Sequence, residues 1–592
     1  MRALGYRTVD ALVDWLNDDG QPPLRSATPE EMEARLGGLE PVAAPFDDAL
    51  RTLLEDVVPF ASRSAHPRFF AYVPFAGTWP GALGDFIASA CNIYAGSWQE
   101  SAGPTQLELR ILDWFKEWVG YPAGAGGSLV NGGSAANLTA LACAREALVG
   151  SMRDDLVVYA SDQAHYSVGR ALRTLGFRPD QLRVLPVRAD LRLDPAILAA
   201  AITADEAAGR LPLLVVANGG ATSTGAVDPL VELAAVCRER GVWLHVDAAY
   251  GGFAVLTERG RAALDGLALA DSVTLDPHKW LYQPYECGCL LVRDGSVLRR
   301  AFEMHSDYLR DAEAEGGSVN FSDLGIQLTR STRAFKLWLS LRTFGVDAFR
   351  AAIDRTLDLA DLARRRIEAS DSLELAAPPS LGIVCFFRHG ADDKQTDGLA
   401  AALEQSGLGF ISTTRVHGRT ALRLCILNHT TRAEDVEHVL DFLETAEPRR
   451  PTREYERHEQ LPTAVPLFAR LDPLEATAFA ALSTERGVTT GEAVVSQWDA
   501  SRDFYVIERG LVDVLFDDEI VATLRPGDYF GEIAALEWGA HFARARIATV
   551  VARTPASVRV LEPPALAQLL EEYPRLESEI RHTAHRRMRE TL

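Results

Sequence analysis

Between residues 156 and 292 the chain alternates two kinds of apolar pattern. Short runs rich in β-branched residues (LVVYAS, LRVLPV, LPLLVVAN, VWLHVDAAY, SVTL and CGCLLV) are apolar at odd and even positions alike. Between them, stretches such as SVGRALRTLGF, DPAILAAAITADEAAG and DPLVELAAVCRERG repeat their apolar residues at helical spacing. Strands with no polar face, alternating with helices, predict a mainly parallel sheet covered on both sides. A long helical stretch at 334–369 leads into a smaller α+β unit that ends near residue 445. The segment AEPRRPTREYERHEQLPT is charged, contains proline and has almost no core residues, so it reads as a linker. Beyond it, DFYVIERGLVDVLFDDEIVATLRPGDYFGEIAAL alternates apolar and polar positions and is broken at ERG and RPGD. That pattern predicts the hairpins of an antiparallel β-domain. The predicted divisions are a helical segment at 1–80, a large domain at 81–369, a small α+β domain at 370–445, a linker at 446–463 and a tail at 464–592.

Composition narrows the function. A chain of 592 residues has room for several domains with cores of their own. Its net charge of −22 argues against nucleic acid or an anionic membrane as the main partner, since both need a basic face. The seven cysteines include no CxxC pair, and Cys287 and Cys289 fall inside an expected strand. They read as reduced core thiols, with neither a disulfide framework nor a metal site. No apolar run is long enough to span a membrane, and the helical start MRALGYRTVDALVDWLNDDG is interrupted by acids, unlike a secretion signal. The expected location is the cytoplasm.

The stretch DPHKW places Lys279 between two strand-like runs, where a lysine needs a partner or a covalent role. In a parallel α/β sheet, chemistry collects at the carboxyl ends of strands. HVDAAYGG puts Asp247 at such an end, SDQAHYS puts His165 just after another, and GGATSTG puts Thr222 after a third. NGGSAANLTAL opens a helix with glycines and Ser134, an arrangement of backbone N–H groups and helix dipole that suits an anion. A lysine, a buried acid, a phosphate cradle and a flat-faced imidazole fit pyridoxal phosphate. Its aldehyde needs an amine, its ring nitrogen a carboxylate and its phosphate a helix terminus.

With these motifs in place, the first 445 residues resemble the group II decarboxylases, which include aromatic L-amino-acid, tyrosine and glutamate decarboxylases. The resemblance rests on HPRFFAYVPFAGTWPGALGDF, SDQAHYS, HVDAAYGG and DPHKWLYQPYECGCLLVRD, in that order. It implies a fold-type-I, aspartate-aminotransferase-like α/β architecture and a homodimer with shared active sites. By position, Lys279 would bind the cofactor, Asp247 its ring nitrogen, and Gly133 and Ser134 its phosphate. His165 would stack on one ring face with Ala249 on the other, Thr222 would lie near the ring substituents, and His278 near the substrate carboxylate. Asp276 departs from the asparagine of the animal enzymes and adds an acid beside the lysine. Tyr308, in FEMHSDYLRDAEAEGG, aligns with the proton-donating tyrosine of a closing loop, which favours an amine over an aldehyde product. Tyr72, Phe75 and Trp79 lie in the segment that lines the partner's pocket in the family, and they suit an aromatic amino acid better than glutamate.

The tail, from about residue 464, resembles a cyclic-nucleotide-binding domain through VPLFARLDPLEATAFAAL and LRPGDYFGEIAAL followed by RIATVVARTPA. The resemblance implies that Glu532 takes the ribose hydroxyl, while Arg546 and the backbone from Gly531 through Ile533 to Ala534 take the phosphate. The insert LEWGAHFARA lengthens the spacing to Arg546, and Arg544 competes for the same role. Ile547 stands where guanine-selective members often carry threonine, which leans toward cAMP. Three uses stay open for this domain: nucleotide binding, docking and the binding of another ligand. For the whole chain the rival to a regulated decarboxylase is a nucleotide-responsive scaffold with an inert catalytic half.

Overall fold

The computed structural model describes residues 1–304 apart from 19 and 75, then 317–449, then 473–573 apart from 498, 500, 517–518, 533–547, and finally 576 and 580. The chain divides into two compact units, Met1–Arg457 and His458–Leu592.

The first unit is built on a seven-stranded sheet of order β1-β7-β6-β5-β4-β2-β3. Its strands are β1 (Gly126–Val130), β2 (Leu156–Ser161), β3 (Leu182–Leu185), β4 (Leu211–Asn218), β5 (Trp243–Asp247), β6 (Ser272–Leu275) and β7 (Gly288–Val292). Every residue of β2, β5, β6 and β7 is buried, so both faces of the sheet are covered, as the unbroken apolar runs predict. The strands from β3 through β6 run parallel.

The sheet differs from the expected one at one edge. CGCLLV pairs antiparallel with β6, and a further strand, β1, pairs antiparallel with it. The sequence of β1, GGSLV, reads as a loop because of its two glycines. Packing requires them. A Cβ on Gly126 would lie 2.7 Å from the Gly295 backbone, and one on Gly127 would lie 2.7 Å from the Leu290 carbonyl.

A buried ion pair pins this edge. Glu108, on the helix Trp98–Val119, accepts from Arg330 at 2.7 Å and from the Leu129 N–H at 3.0 Å. Arg330 also donates to the carbonyls of Ala95 and Leu129, and its guanidinium lies over the Phe321 ring.

The helical stretch at 334–369 is two helices, Ala334–Phe344 and Val346–Glu368, divided at Gly345 by its positive φ of 74°. The second helix leads into the small domain, whose antiparallel sheet has the order β10-β11-β9-β8. Its strands are β8 (Leu373–Leu375), β9 (Ile383–Arg388), β10 (Ser412–Val416) and β11 (Arg419–Cys425). Six of the seven cysteines are buried and reduced. Cys91 is exposed, which corrects its assignment to the core. No helix among the described residues is long and apolar enough to cross a membrane.

The second unit is antiparallel, as the alternation predicts. One sheet joins β12 (Thr484–Val488), β19 (Ala556–Leu561), β14 (Phe504–Arg509) and β17 (Tyr529–Phe530) in that order. The other joins β13 (Ala493–Val495), β18 (Thr549–Ala552), β15 (Val512–Phe516) and β16 (Glu519–Leu524). ERG and RPGD do turn the chain, at the positive φ of Gly510 (84°) and Gly527 (88°), but they close no hairpin. Each carries the chain from one sheet to the other, β14 to β15 and β16 to β17, which corrects the hairpin expectation at these two breaks.

The Glu108–Arg330 pair makes a stability prediction. Glu108→Ala leaves a buried guanidinium with carbonyls alone and should cost about 3–5 kcal/mol in chemical denaturation. Replacing both residues by Leu and Met should cost far less. Equal losses for the single and double variants would show that the charge pairing carries no weight.

Candidate active site

The strand ends of the first unit meet in one open cavity of about 220 Å³. All nine residues that the sequence assigns to a cofactor line it: Gly133, Ser134, His165, Thr222, Asp247, Ala249, Asp276, His278 and Lys279. They come from the loops after β2, β4, β5 and β6 and from the start of the helix Gly133–Leu148, which packs against β4 to β7. This is the carboxyl edge of the parallel strands.

Lys279 lies 2.9 Å from Asp276 Oδ2, and Asp276 is almost wholly buried. Burial alone would lower the pKa of the ammonium. The Asp276 carboxylate, with a smaller contribution from Asp247, outweighs it and holds the Lys279 pKa above its ordinary value. Asp276 Oδ1 has no hydrogen-bond partner among the described residues, so an acceptor stands ready for a donor brought in from outside. His278 Nε2 is 3.6 Å from Asp276 Oδ2, while its Nδ1 accepts from the Cys287 N–H at 3.1 Å. Burial lowers the pKa of His278, and it lowers that of His165 for the same reason.

Beside the same carboxylate, no side chain caps the helix Gly133–Leu148, whose N-cap is Gly132 with φ 113°. The approach is tight. A Cβ on Gly133 would come within 2.9 Å of Asp276 Oδ2, and a Cβ on Gly288 within 2.5 Å of the Gly132 backbone. Uncapped N–H groups and the helix dipole favour an anion there. Asp247 offers a further acceptor in the same cavity, fixed by the Asn137 amide at 2.7 Å and the Ala249 N–H at 3.2 Å. An amine, an anion cradle and a carboxylate in one cavity fit pyridoxal phosphate.

Several functional neighbours escape the sequence reading. Asn131, Gly132, Asn137, Ser167, Asn218, Gly220 and Tyr250 also line the cavity. Asn137, a polar residue within the apolar run of its helix, was the one signal available. Arg423, on β11, donates to the Thr222 carbonyl at 2.6 Å, to the Ser223 carbonyl at 3.0 Å and to the Tyr72 carbonyl. It thus ties the small domain to the cavity rim. Lys336 is buried, pairs with Asp85 at 2.8 Å and donates to the carbonyls of Pro284, Tyr285 and Glu286. The loop it holds carries Tyr285, whose ring stands edge-on to His278 at 4.7 Å.

Other assigned residues lie elsewhere. Tyr72, at φ 54°, and Trp79 are exposed and do not line this cavity. Phe75 and Tyr308 lie outside the described residues, as do Ile533, Ala534 and Arg546 of the tail. Glu532 is buried, and Gly531 has φ 91°. Among the described residues no His, Cys, Asp and Glu cluster could hold a metal ion.

Comparison with known proteins agrees with this geometry. Residues 29–389 match the pyridoxal-dependent decarboxylase conserved domain, and residues 485–573 match the cyclic nucleotide-binding domain. An aromatic-L-amino-acid decarboxylase of Bacillus atrophaeus is 39% identical over 451 residues, which span 74% of this chain and 94% of that one. Tryptophan decarboxylase 1 of Oryza sativa subsp. japonica is 33% identical over 459 residues, spanning 72% and 89%. The crystal structure of Oryza sativa TDC with PLP and tryptamine superposes with a TM-score of 0.71 at 32% identity, covering 75% of this chain and 96% of that one. With its lysine, carboxylates and anion cradle converging at the strand ends, the chain belongs to the pyridoxal-dependent decarboxylase family.

Proposed function

We propose that this pyridoxal-phosphate-dependent amino-acid decarboxylase acts on an aromatic L-amino acid and releases the amine and CO₂. The observation that carries the reading is the convergence of Lys279, Asp276 and Asp247 with the uncapped helix start at Gly133 in one cavity. The aromatic preference is supported by the activities named for the similar proteins. It is supported too by the lining, where Lys279 is the sole lysine or arginine among the described residues and is already paired with Asp276. An acidic side chain would need a cation of its own.

In this reading Lys279 binds the cofactor aldehyde, the helix start with Gly133 and Ser134 holds the phosphate, and Asp247 faces the ring nitrogen. His165 and Ala249 flank the ring, and Thr222 lies near its substituents. Bound there, pyridoxal phosphate supplies an electron-accepting ring for the pair left on the substrate α-carbon when CO₂ departs. The chain's own groups handle protons and charge. The Lys279 ammonium must lose a proton before its nitrogen can act, and the Asp276 carboxylate, at 2.9 Å, holds that ammonium in place at the cavity wall until it does. His165 and His278, whose pKa values burial lowers, give the site polar but uncharged walls. Such walls do not grip a substrate carboxylate as a cation would, so the ground state is not over-stabilised. Tyr308 is proposed as the acid that protonates the α-carbon.

The chain is proposed to work as a cytoplasmic homodimer. The N-terminal segment supports this by exposing Tyr6, Val13, Leu16, Val42, Phe46 and Leu53, an apolar surface suited to a second copy. Tyr72, Phe75 and Trp79 would then face the partner's cavity. For the tail, cAMP is the proposed ligand, held by Glu532 and Arg546 with backbone from Gly531, Ile533 and Ala534.

Three measurements test these readings. Lys279→Ala should abolish both turnover and the visible absorbance of lysine-bound cofactor, and retention of both would overturn the cofactor assignment. CO₂ release across the proteinogenic amino acids should favour tryptophan, tyrosine or phenylalanine over glutamate, with an amine as product. A preference for glutamate, or an aldehyde formed with hydrogen peroxide, would refute the substrate or the product assignment. Calorimetry of the full chain with cAMP and cGMP should detect binding and a reciprocal shift in substrate affinity of about 5- to 150-fold. No heat at millimolar nucleotide would assign the tail to docking.

A further inference from the structure

The hydrogen bonds around Asn137 form a chain whose direction is fixed at every step. Asp247 can only accept from the Asn137 amide, so the NH₂ of that amide faces Asp247 Oδ2 at 2.7 Å and its carbonyl faces the other way. There the carbonyl receives Thr274 Oγ1 at 2.7 Å and His245 Nε2 at 3.1 Å. His245 is fully buried, and burial pushes its pKa down to about 4, so it is a neutral ring with its proton on Nε2. Its Nδ1 accepts from Ser272 Oγ at 2.8 Å, which in turn accepts from the Trp243 indole at 2.9 Å.

On the cavity side the second amide proton of Asn137 goes to Ser167 Oγ at 2.9 Å. With that oxygen accepting, the Ser167 hydroxyl is free to donate to His165 Nδ1 at 2.8 Å, and the Ser167 backbone N–H points at the same nitrogen at 3.3 Å. A nitrogen that receives two donors cannot carry a proton. The His165 proton therefore sits on Nε2.

We propose that Asn137 is a positioning residue that couples Asp247 to His165, keeping the carboxylate an acceptor while locking His165 as the neutral ring protonated on Nε2. The inference rests on the reading of this cavity as the cofactor site, but its first test does not need the cofactor. Both groups line the cavity, and one amide spends its two protons on Asp247 and on the Ser167 hydroxyl that faces His165, so a change at one end is felt at the other.

Two variants separate the links. Asn137→Asp is nearly isosteric and sets a second carboxylate against Asp247, so the pair must share a proton. The Ser167 hydroxyl then turns to the new acid and abandons His165. Ser167→Ala leaves the Asp247 bonds in place and removes the hydroxyl that joins Asn137 to His165, so that only the longer backbone N–H contact to Nδ1 remains.

Nitrogen NMR of histidine-labelled, cofactor-free enzyme at neutral pH, with His165→Gln assigning the resonance, reads the tautomer directly. The unmodified enzyme should show an unprotonated Nδ1, and in both variants, where only the 3.3 Å backbone N–H still faces that nitrogen, part of the proton should move onto it. After loading, Ser167→Ala should lower kcat by about 10- to 100-fold with little change in the cofactor dissociation constant. Asn137→Asp should impair both kcat and cofactor binding. A proton on Nδ1 in the unmodified enzyme, or an unchanged tautomer in both variants, would overturn the proposal. If the cavity is not the cofactor site, the unmodified enzyme will fail to bind pyridoxal phosphate whatever its tautomer, so the two failures are distinguishable.

Discussion

An ammonium and a carboxylate held 2.9 Å apart at the end of a buried strand set the terms for the rest of the catalytic unit. Taking two such ions out of water costs on the order of several kcal/mol each, and their attraction repays it only when the geometry is held closely. The sheet does this holding. Lys279 and Asp276 follow β6, which is flanked by strands buried on both faces. The helix Gly133–Leu148 reaches the pair because Gly132, Gly133 and Gly288 leave no side chain in its path. A fold selected for stability alone would fill this volume with apolar groups. Keeping it charged and open marks it as the place where chemistry is done.

Most of this arrangement was legible in the sequence, for a local reason. A charged or polar residue directly after an apolar strand run is conspicuous, and Lys279, Asp247, His165 and Thr222 all stand in that position. Glycines opening a helix are equally local. The missed features depend on contacts far apart along the chain. Asn137 bonds residues 30, 108, 110 and 137 positions away, and no window of sequence shows that. Arg423 looks like an ordinary alternating residue of β11, and Lys336 like the polar face of an amphipathic helix, yet both are buried. The strand β1 was hidden by its glycines, which its neighbours require and which local propensity reads as a turn.

The tail adds a second self-contained core to the same chain, a pair of antiparallel sheets between which the chain crosses at Gly510 and Gly527. A domain of this kind influences the other only if its ligand distinguishes between states of the whole chain. The catalytic unit offers elements on which such a bias could act. Its small domain has its own sheet and its own apolar core, yet it touches the cavity rim directly.

That contact has a mechanical meaning. Loops that carry active-site residues are usually more mobile than the elements they connect. The rim at Thr222 and Ser223 is instead grasped by Arg423, which grows from the middle of a four-stranded sheet and reaches Tyr72 with the same guanidinium. One planar, five-donor head therefore makes three chain segments behave as a single lever. The wall of the cavity is thereby tied to a β-sheet while remaining, by its backbone, a loop.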